Sequence, residues 1–599
     1  MGLDWLWAED RPTKFILGCT LVLGALARLV PIATHRFHQD EALYSTWALH
    51  IATGRDMLLN GFPVDKPPLF LYTLALFFKL LGPSEVVARL PGVLASTASV
   101  ALVYHLARRL YGRPTALAAA ALMALSPFNI LFAPTALTDT LLVALVLGAL
   151  CLAVEGRWTG AGVVAGLAAA TKQQGLLFLP LVVGVGIAAT AARAERVSKN
   201  SLGSVIARSF VRRGLLTDAV LGSVRDFRPT GRVSENSSGS VIARSAATKQ
   251  SLLESLRLLR FARNDTPKDM TTALPAVFQT RWRAYVLNDG PHFILGFLVA
   301  VVPAILWDLA RSQRPGFLQQ SAISYGGLVW VVPLQWLERG QRWGDLLWYV
   351  AASRPLNFLL VIGVPLLLLY GLLWRRRERE TLLDITLTSF WLLFLALHLV
   401  LDFEVWDRYL LGLVPVVLLL LARVLWRASD GLAALASFGW TRLSSHLPPR
   451  RGKAGKGVVL ALFLAATLYR PAQDAANSRF PIGGDQGAYQ GIETVADYFR
   501  GNVGAGATLY QRWLGWHLAF YMFNYPYDFQ WCDSPQQLAD HAAQVTGPRY
   551  LVAPIWKSVT EERVALGEKG LSLHTVYQTY RRDGSVSFTI YRVQEIGRE

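Results

Sequence analysis

Residues 68–82 read PLFLYTLALFFKLLG, an apolar run of fifteen with one charge, Lys79, inside it. A helix needs about 20 apolar residues to cross the bilayer core, so this run is short. If it crosses, Arg108, Arg109 and Arg113 face outside, and so do Arg375, Arg376, Arg377 and Arg379. If it lies in the outer interface, both clusters face the cytoplasm. Basic residues concentrate in cytoplasmic loops, so the sequence predicts an interfacial helix.

Working outward from this run, apolar stretches predict spans near 15–34, 88–107, 114–132, 138–155, 159–171, 174–193, 291–310, 356–374, 382–401, 409–426 and 457–470. The first follows Arg11 and Lys14, is long enough to anchor and lacks an A-x-A cleavage pattern, so it reads as a retained span. The expected fold is a polytopic α-helical membrane protein with about eleven transmembrane helices and a C-terminal extracytoplasmic α/β domain. The N-terminus lies inside, and PRRGKAGK (449–456) is cytoplasmic. The outer parts are 35–87, 133–139, 311–355, the turn 402–408 and the tail 471–599. Four modules follow: 1–193 and 286–470 in the plasma (cytoplasmic) membrane, the insert 194–285 between them, and 471–599.

Composition agrees. The chain is 53% hydrophobic and 17% charged, against about 25% charged in soluble domains. That excludes disorder and argues against a purely soluble enzyme. Cys19, Cys151 and Cys532 form no disulfide framework and no CxxC site. The net charge of +18 does not point to nucleic acid, because half of it lies between residues 191 and 290, with seventeen Lys and Arg against eight Asp and Glu. There GSVIARS occurs at 203–209 and again at 239–245, too little for a solenoid. The stretch reads as a cytoplasmic loop without a role and resembles a translated intergenic repeat. A basic amphipathic piece near 251–263 touching anionic lipid is the functional alternative.

The first outer loop reads HRFHQDEALYSTWALHIATGRDMLLNGFPVDKPPLF (35–70). Asp40 and Glu41 are adjacent carboxylates. Apolar positions Ala42, Trp47, Leu49 and Ile51 among polar ones suit a helix lying along the membrane surface. Pro67 and Pro68 fix Lys66 on a stiff turn. A carboxylate can take the proton of an acceptor hydroxyl, and Lys66 and Arg89 can neutralise a departing phosphate. The plain alternative is interfacial side chains that are merely solvated.

DEALY (40–44), DKPPLF (65–70) and SEVVARLPG (84–92) together resemble the signature of GT-C class membrane glycosyltransferases. The likeness is greatest to the protein O-mannosyltransferase group and the lipid A aminoarabinose transferases. It covers residues 15–190 and, more weakly, 300–425. The resemblance implies that Asp40, first of the Asp40–Glu41 acid pair, is the catalytic base. It also implies roles for Asp139 in the second outer loop, for Lys172 of Thr171–Lys172, and for Arg408–Tyr409. It implies a polyprenyl-phosphate-sugar donor and inverting attack by an acceptor hydroxyl on protein, lipid or glycan. Lys66, Arg89, Lys172 and Arg408 are the candidate cations for the donor phosphate; structural carboxylates are their alternative partners.

The expected set is therefore Asp40 and Glu41 as catalytic, and Lys66, Arg89, Asp139, Lys172, Arg408 and Tyr409 as donor- or substrate-binding. Neither outer loop has a DxD pair, so no cofactor is expected; His35 and His38 are the one metal alternative. In 311–355, Gln319, Gln320, Ser324 and Tyr325 offer sugar-binding groups, while Trp330 and Trp336 suit interfacial anchors. The tail predicts strands at ATLYQ, RYLVAPI, SLHTVYQTY and SFTIYRV and helices at GIETVADYFRG and SPQQLADHAAQ. Asp485 with Gly483, Gly484 and Gly487 forms a loop near the membrane exit. A transporter or flippase of lipid-linked sugars is the main rival reading. Transporters usually show repeated halves, and no such repeat is seen.

Overall fold

A computed structural model describes residues 9–189, 285–311, 315–325, 329–374, 379–443, 452–484 and 487–597, with side chains excepted over 430–456. The insert 194–285 lies outside these residues apart from its last position. So do Arg375, Arg376, Arg377 and Asp485.

Each expected span meets a helix. Five described helices are long and apolar enough to cross a membrane: Arg11–Ala33, Glu85–Leu110, Leu287–Ala310, Arg354–Trp374 and Arg379–Val400. Shorter apolar helices cover Arg113–Leu125, Thr138–Val154, Trp158–Thr171 and Gln173–Ala189. Val414–Leu443 and Gly452–Ala476 complete the set. The chain is a multi-pass membrane protein.

The decisive run forms the helix Pro68–Leu81, with Gly82 ending it at positive φ. Its 14 residues extend about 21 Å, short of a core about 30 Å thick. The chain before and after it returns to the same end of the bundle, because Glu41 and Arg89 are bonded to each other. At the opposite end, Glu9 pairs with Arg108 and Arg113 (2.7 and 3.0 Å), and Arg379 donates to the Arg109 carbonyl (3.1 Å). The basic clusters at 108–113 and 379 therefore share one end with the start of the first helix, as expected for a run that does not cross.

The expected single span 114–132 is broken. The helix Arg113–Leu125 stops, and a short one runs from Pro127 to Phe132. Pro127 has no N–H for the Met123 carbonyl four residues back. Arg28, fully buried in the first helix, takes the Met123 and Ala124 carbonyls instead (2.9 and 2.8 Å) and also bonds Ser96 (2.8 Å). Elsewhere helices meet through glycine. A Cβ on Gly162 or Gly166 would lie 2.0 or 2.6 Å from carbonyl oxygens of the helix Gly290–Ala310, so Trp158–Thr171 packs there backbone to backbone.

The tail folds on a five-stranded sheet. Its strands are β1 (Thr508–Gln511), β2 (Asp528–Trp531), β3 (Arg549–Pro554), β4 (Leu571–Tyr580) and β5 (Val586–Glu595), in the order β2-β1-β3-β5-β4. β1 is parallel to β2 and β3; β5 is antiparallel to β3 and β4. Successive residues face opposite cores: Leu509 and Tyr550 pack with Phe499 and Ile590, while Tyr510 and Leu551 pack with Leu538 and Val593. All four predicted strands and both predicted helices form. The edge strand β2 and the helices Gly515–Tyr521 and Thr560–Glu568 were not anticipated, because each is short and only partly apolar.

Candidate active site

The acid helix, Gln39–Thr53, begins at a capping box. The His38 ring accepts from the Asp40 N–H (3.3 Å) and the Glu41 carboxylate accepts from the His38 N–H (2.9 Å). Gly54, at φ +74°, ends it. The expectation of a surface-lying helix is corrected: nine of its fifteen residues are buried. One side packs on Pro68–Leu81 and another on Gly515–Tyr521 of the tail domain. Trp47 meets Trp516 edge to face, the Thr46 hydroxyl donates to the Trp516 carbonyl (3.2 Å), and His517 bonds the Phe37 carbonyl (2.9 Å).

The two acids diverge at once. Glu41 is buried, and its oxygens accept from Arg89 Nε (3.1 Å), the Ala136 N–H (2.8 Å) and the His38 N–H. Arg89 gives its remaining N–H groups to the Ile32, His35 and Arg36 carbonyls (2.9, 2.8 and 3.0 Å) and to Glu41 again (3.4 Å). A guanidinium has five N–H donors, and all five are used. The expectation that Arg89 meets the donor phosphate is therefore corrected: it ties the chain before the acid helix to Glu85–Leu110. Gly92, three residues on, lets the 133–135 loop in; a Cβ there would lie 2.6 Å from the Ala133 carbonyl. That close approach places Asp139 at the start of its helix.

Asp40 turns the other way, to Arg408. Around one cavity of 460 Å³ the structure gathers three cation–carboxylate pairs. Arg408 pairs with Asp40, Lys66 with Asp65, and Lys172 with Asp139 at 2.6 Å. Lys66 also donates to the Tyr325 hydroxyl (2.9 Å), and Gln173 donates to the Asp65 carbonyl (2.5 Å). Tyr409 faces Lys172, with its ring centre 4.7 Å from the ammonium, and Trp406 lies under the Arg408 guanidinium at 4.4 Å. The other wall is apolar: Leu176, Leu177, Leu318, Ala322 and Phe403.

Of the expected residues, Lys66, Asp139, Lys172, Arg408 and Tyr409 line this cavity, Asp40 joins them through its pair with Arg408, and Glu41 and Arg89 do not take part. Gln319 and Gln320 do not line the cavity, and Gln320 bonds Ser324 on the surface (3.4 Å). Tyr325 reaches it from the helix Phe317–Tyr325. Asp65, Tyr44, Gln173 and His398 were missed. The signals for two of them were local: Tyr44 lies one helical turn after Asp40, and Asp65 directly precedes Lys66. Among the described residues no group of three His, Cys, Asp or Glu side chains is placed to hold a metal. His38 is occupied as a cap.

Burial and pairing set the charges. Burial alone would raise the Asp40 carboxyl, but Arg408, with His38 and Lys66, brings it below its usual value. Burial lowers Lys66 against the pull of Asp65. Lys172, in the connector between two helices, is pushed down to about 8 by burial, opposed by Asp139. Burial, then Asp40 and Asp65, raise Tyr44 well above its usual value and keep it protonated.

Comparison with known proteins places this architecture. The family model of dolichyl-phosphate-mannose-protein mannosyltransferases matches residues 65–211. Among solved structures, ArnT from Cupriavidus metallidurans bound to undecaprenyl phosphate aligns with TM-score 0.55 and 14% identity, over 99% of this chain and 98% of that one. Its apo form aligns with TM-score 0.54 and 14% identity, over 96% and 97%. An Archaeoglobus fulgidus oligosaccharyltransferase aligns with TM-score 0.47 and 13% identity, over 97% and 75%. Among curated proteins no sequence match reaches significance. The chain has the fold of the GT-C class of membrane glycosyltransferases.

Proposed function

We propose that this protein transfers a sugar from a polyprenyl-phosphate-sugar donor to an acceptor hydroxyl at the outer face of the plasma membrane. The observation that carries the reading is the cavity. It joins three buried cations to a leucine-lined wall, which suits a phosphate head with an isoprenoid tail. A solved neighbour of the same fold binds undecaprenyl phosphate. The ring of Lys66, Lys172 and Arg408 carries three positive charges, each balanced by a carboxylate. A phosphodiester entering it draws on those cations.

In the proposed reaction Asp40 takes the proton of the acceptor hydroxyl. The acceptor oxygen bonds the anomeric carbon from the face opposite the phosphate, and the carbon–oxygen bond to phosphate breaks. The bonding electron pair leaves on the phosphate oxygen, where Lys66, Lys172 and Arg408 neutralise it. Arg408 touches Asp40 through one nitrogen, which leaves donors for the phosphate. As that phosphate draws on the guanidinium, Asp40 regains basicity. Asp139 orients Lys172, Tyr409 covers it, and Glu41 and Arg89 hold the acid helix in place. The protein's own cations meet the phosphate charge, so the proposal carries no metal or other cofactor.

The test uses full-length protein in liposomes with radiolabelled lipid-linked sugar and cell-envelope acceptors. Wild type moves label to an acceptor and Asp40→Asn does not, at equal abundance. Equal transfer by both removes Asp40 as base. Label that crosses the bilayer without acceptor, at the same rate in both, makes the protein a flippase.

A further inference from the structure

A second cavity, of 590 Å³, lies beside the chain that leads into the acid helix. Its size falls within the roughly 300–1,000 Å³ of small-molecule sites. Four pieces of chain wall it: Thr34–Arg36 before the acid helix, 478–481 after the last apolar helix, the start of the helix Ile492–Asn502, and the β4–β5 turn. None belongs to the donor cavity. We infer that this cavity binds the acceptor and reads an anionic group, a phosphate or a carboxylate, on the acceptor sugar. The inference rests on the transferase reading and names the acceptor's chemistry.

The charge arrangement is the reason. Among the described residues four arginines line the cavity and one carboxylate does, Glu493. Glu493 is already taken by Arg36 (2.9 Å), which also pairs with Glu85 (2.8 Å). Arg479 has one exposed partner, Asp474 at 3.0 Å. Arg581 lies near the exposed Asp583 carboxylate, and Arg582 has no carboxylate within salt-bridge distance among the described residues. Arg581 makes one long bond to Ser585 (3.4 Å), and Arg582 is held through its backbone N–H, which donates to Gln490 (3.2 Å). Arg479, Arg581 and Arg582 thus line one cavity, and the guanidinium fork is the group that fits phosphate and carboxylate. Phe480 and Tyr580 add flat faces for a sugar ring.

The cavity is also wired to the chemistry. Arg36 precedes Asp40 by four residues. Beyond Pro481, the Gly483 N–H donates to the Asp407 carboxylate (2.9 Å), and the next residue, Arg408, pairs with Asp40. An acceptor seated by its anionic group on Arg479 and Arg582 therefore sits against the two segments that hold Asp40 and Arg408. The leucine-lined wall belongs to the other cavity, so tail and acceptor do not compete.

The test titrates purified full-length protein in detergent with glucose 6-phosphate, glucuronate, glucose and inorganic phosphate by calorimetry. At least one of the two anionic sugars binds about tenfold more tightly than glucose and than inorganic phosphate, a single step on the affinity scale. Which of the two does so tells phosphate from carboxylate. The double variant Arg479→Ala, Arg582→Ala loses that gain, the Arg→Lys pair, which keeps the charge and loses the fork, keeps only part of it, and Asp40→Asn binds like wild type. Equal binding of glucose, full binding by inorganic phosphate alone, or an unaffected double variant overturns the inference. Failure of the transferase reading shows elsewhere: Asp40→Asn then keeps transfer, whatever the titration gives.

Discussion

Asp40 and Glu41 are neighbours in the chain and share no environment. Glu41 is sealed, with every oxygen committed to Arg89 or a backbone N–H. Asp40 keeps a single described side-chain partner, Arg408, which itself lines the cavity. A helix turns about 100° per residue, so adjacent acids point to different faces. One face meets the loop that must be pinned, and the other meets Arg408 at the edge of the cavity. A carboxylate whose lone pairs are all filled holds structure together; one with room beside it is free to take a proton.

The largest expected effect breaks the comparison at Asp40. Asp40→Asn lowers kcat/KM by about 10²–10⁴-fold, the usual size of a general-base contribution, with unfolding temperature and abundance unchanged. An equal loss in Glu41→Gln at normal stability would erase the distinction between the two acids.

Next comes the sealed pair. Arg89→Ala strands a buried carboxylate and costs roughly 3–5 kcal/mol of stability. The readout is a lower melting temperature in detergent and lower abundance, with activity per folded molecule near wild type. Lys66→Ala raises the KM for the lipid-linked donor about 10- to 100-fold, as the loss of one charged hydrogen bond of about 1.5–3 kcal/mol requires, and, because it leaves the buried Asp65 carboxylate unpaired, lowers the melting temperature as well.

A pH profile sharpens the picture further. Asp40 must be unprotonated, and its lowered pKa keeps it so until the pH falls below the ordinary carboxylate value of 3.8. Lys172 must be protonated, so kcat/KM falls as pH rises through about 8. Lys172→Arg carries a charge that does not titrate in this range and removes the alkaline fall; an unchanged limb would take Lys172 out of the phosphate site. The smallest effect is expected at Arg500→Ala. Its exposed pair with Asp497 is worth about 1 kcal/mol or less, so stability and transfer should match wild type.

Much of the site was legible because its residues sit in short local motifs. The acid pair, the proline-held lysine and the Arg408–Tyr409 dipeptide each announce a constrained or interfacial position. Arg89 was misread because sequence shows a cation near an interface and hides the three backbone carbonyls that turn toward it. The acid helix was misread as a surface helix because Trp516, some 470 residues away in the chain, packs on it against Thr46 and Trp47. The Gly162–Gly166 spacing was a readable signal of close helix packing that went unused.

The sequence by itself determined the membrane class, the place of nearly every helix, the short helix that stays at one end, and four of the five strands of the tail, because apolar length and periodicity act locally. Only the tertiary structure decided which cation meets which carboxylate. Burial, hydrogen-bond saturation and the choice between a sealed pair and an open one depend on groups brought together from distant parts of the chain.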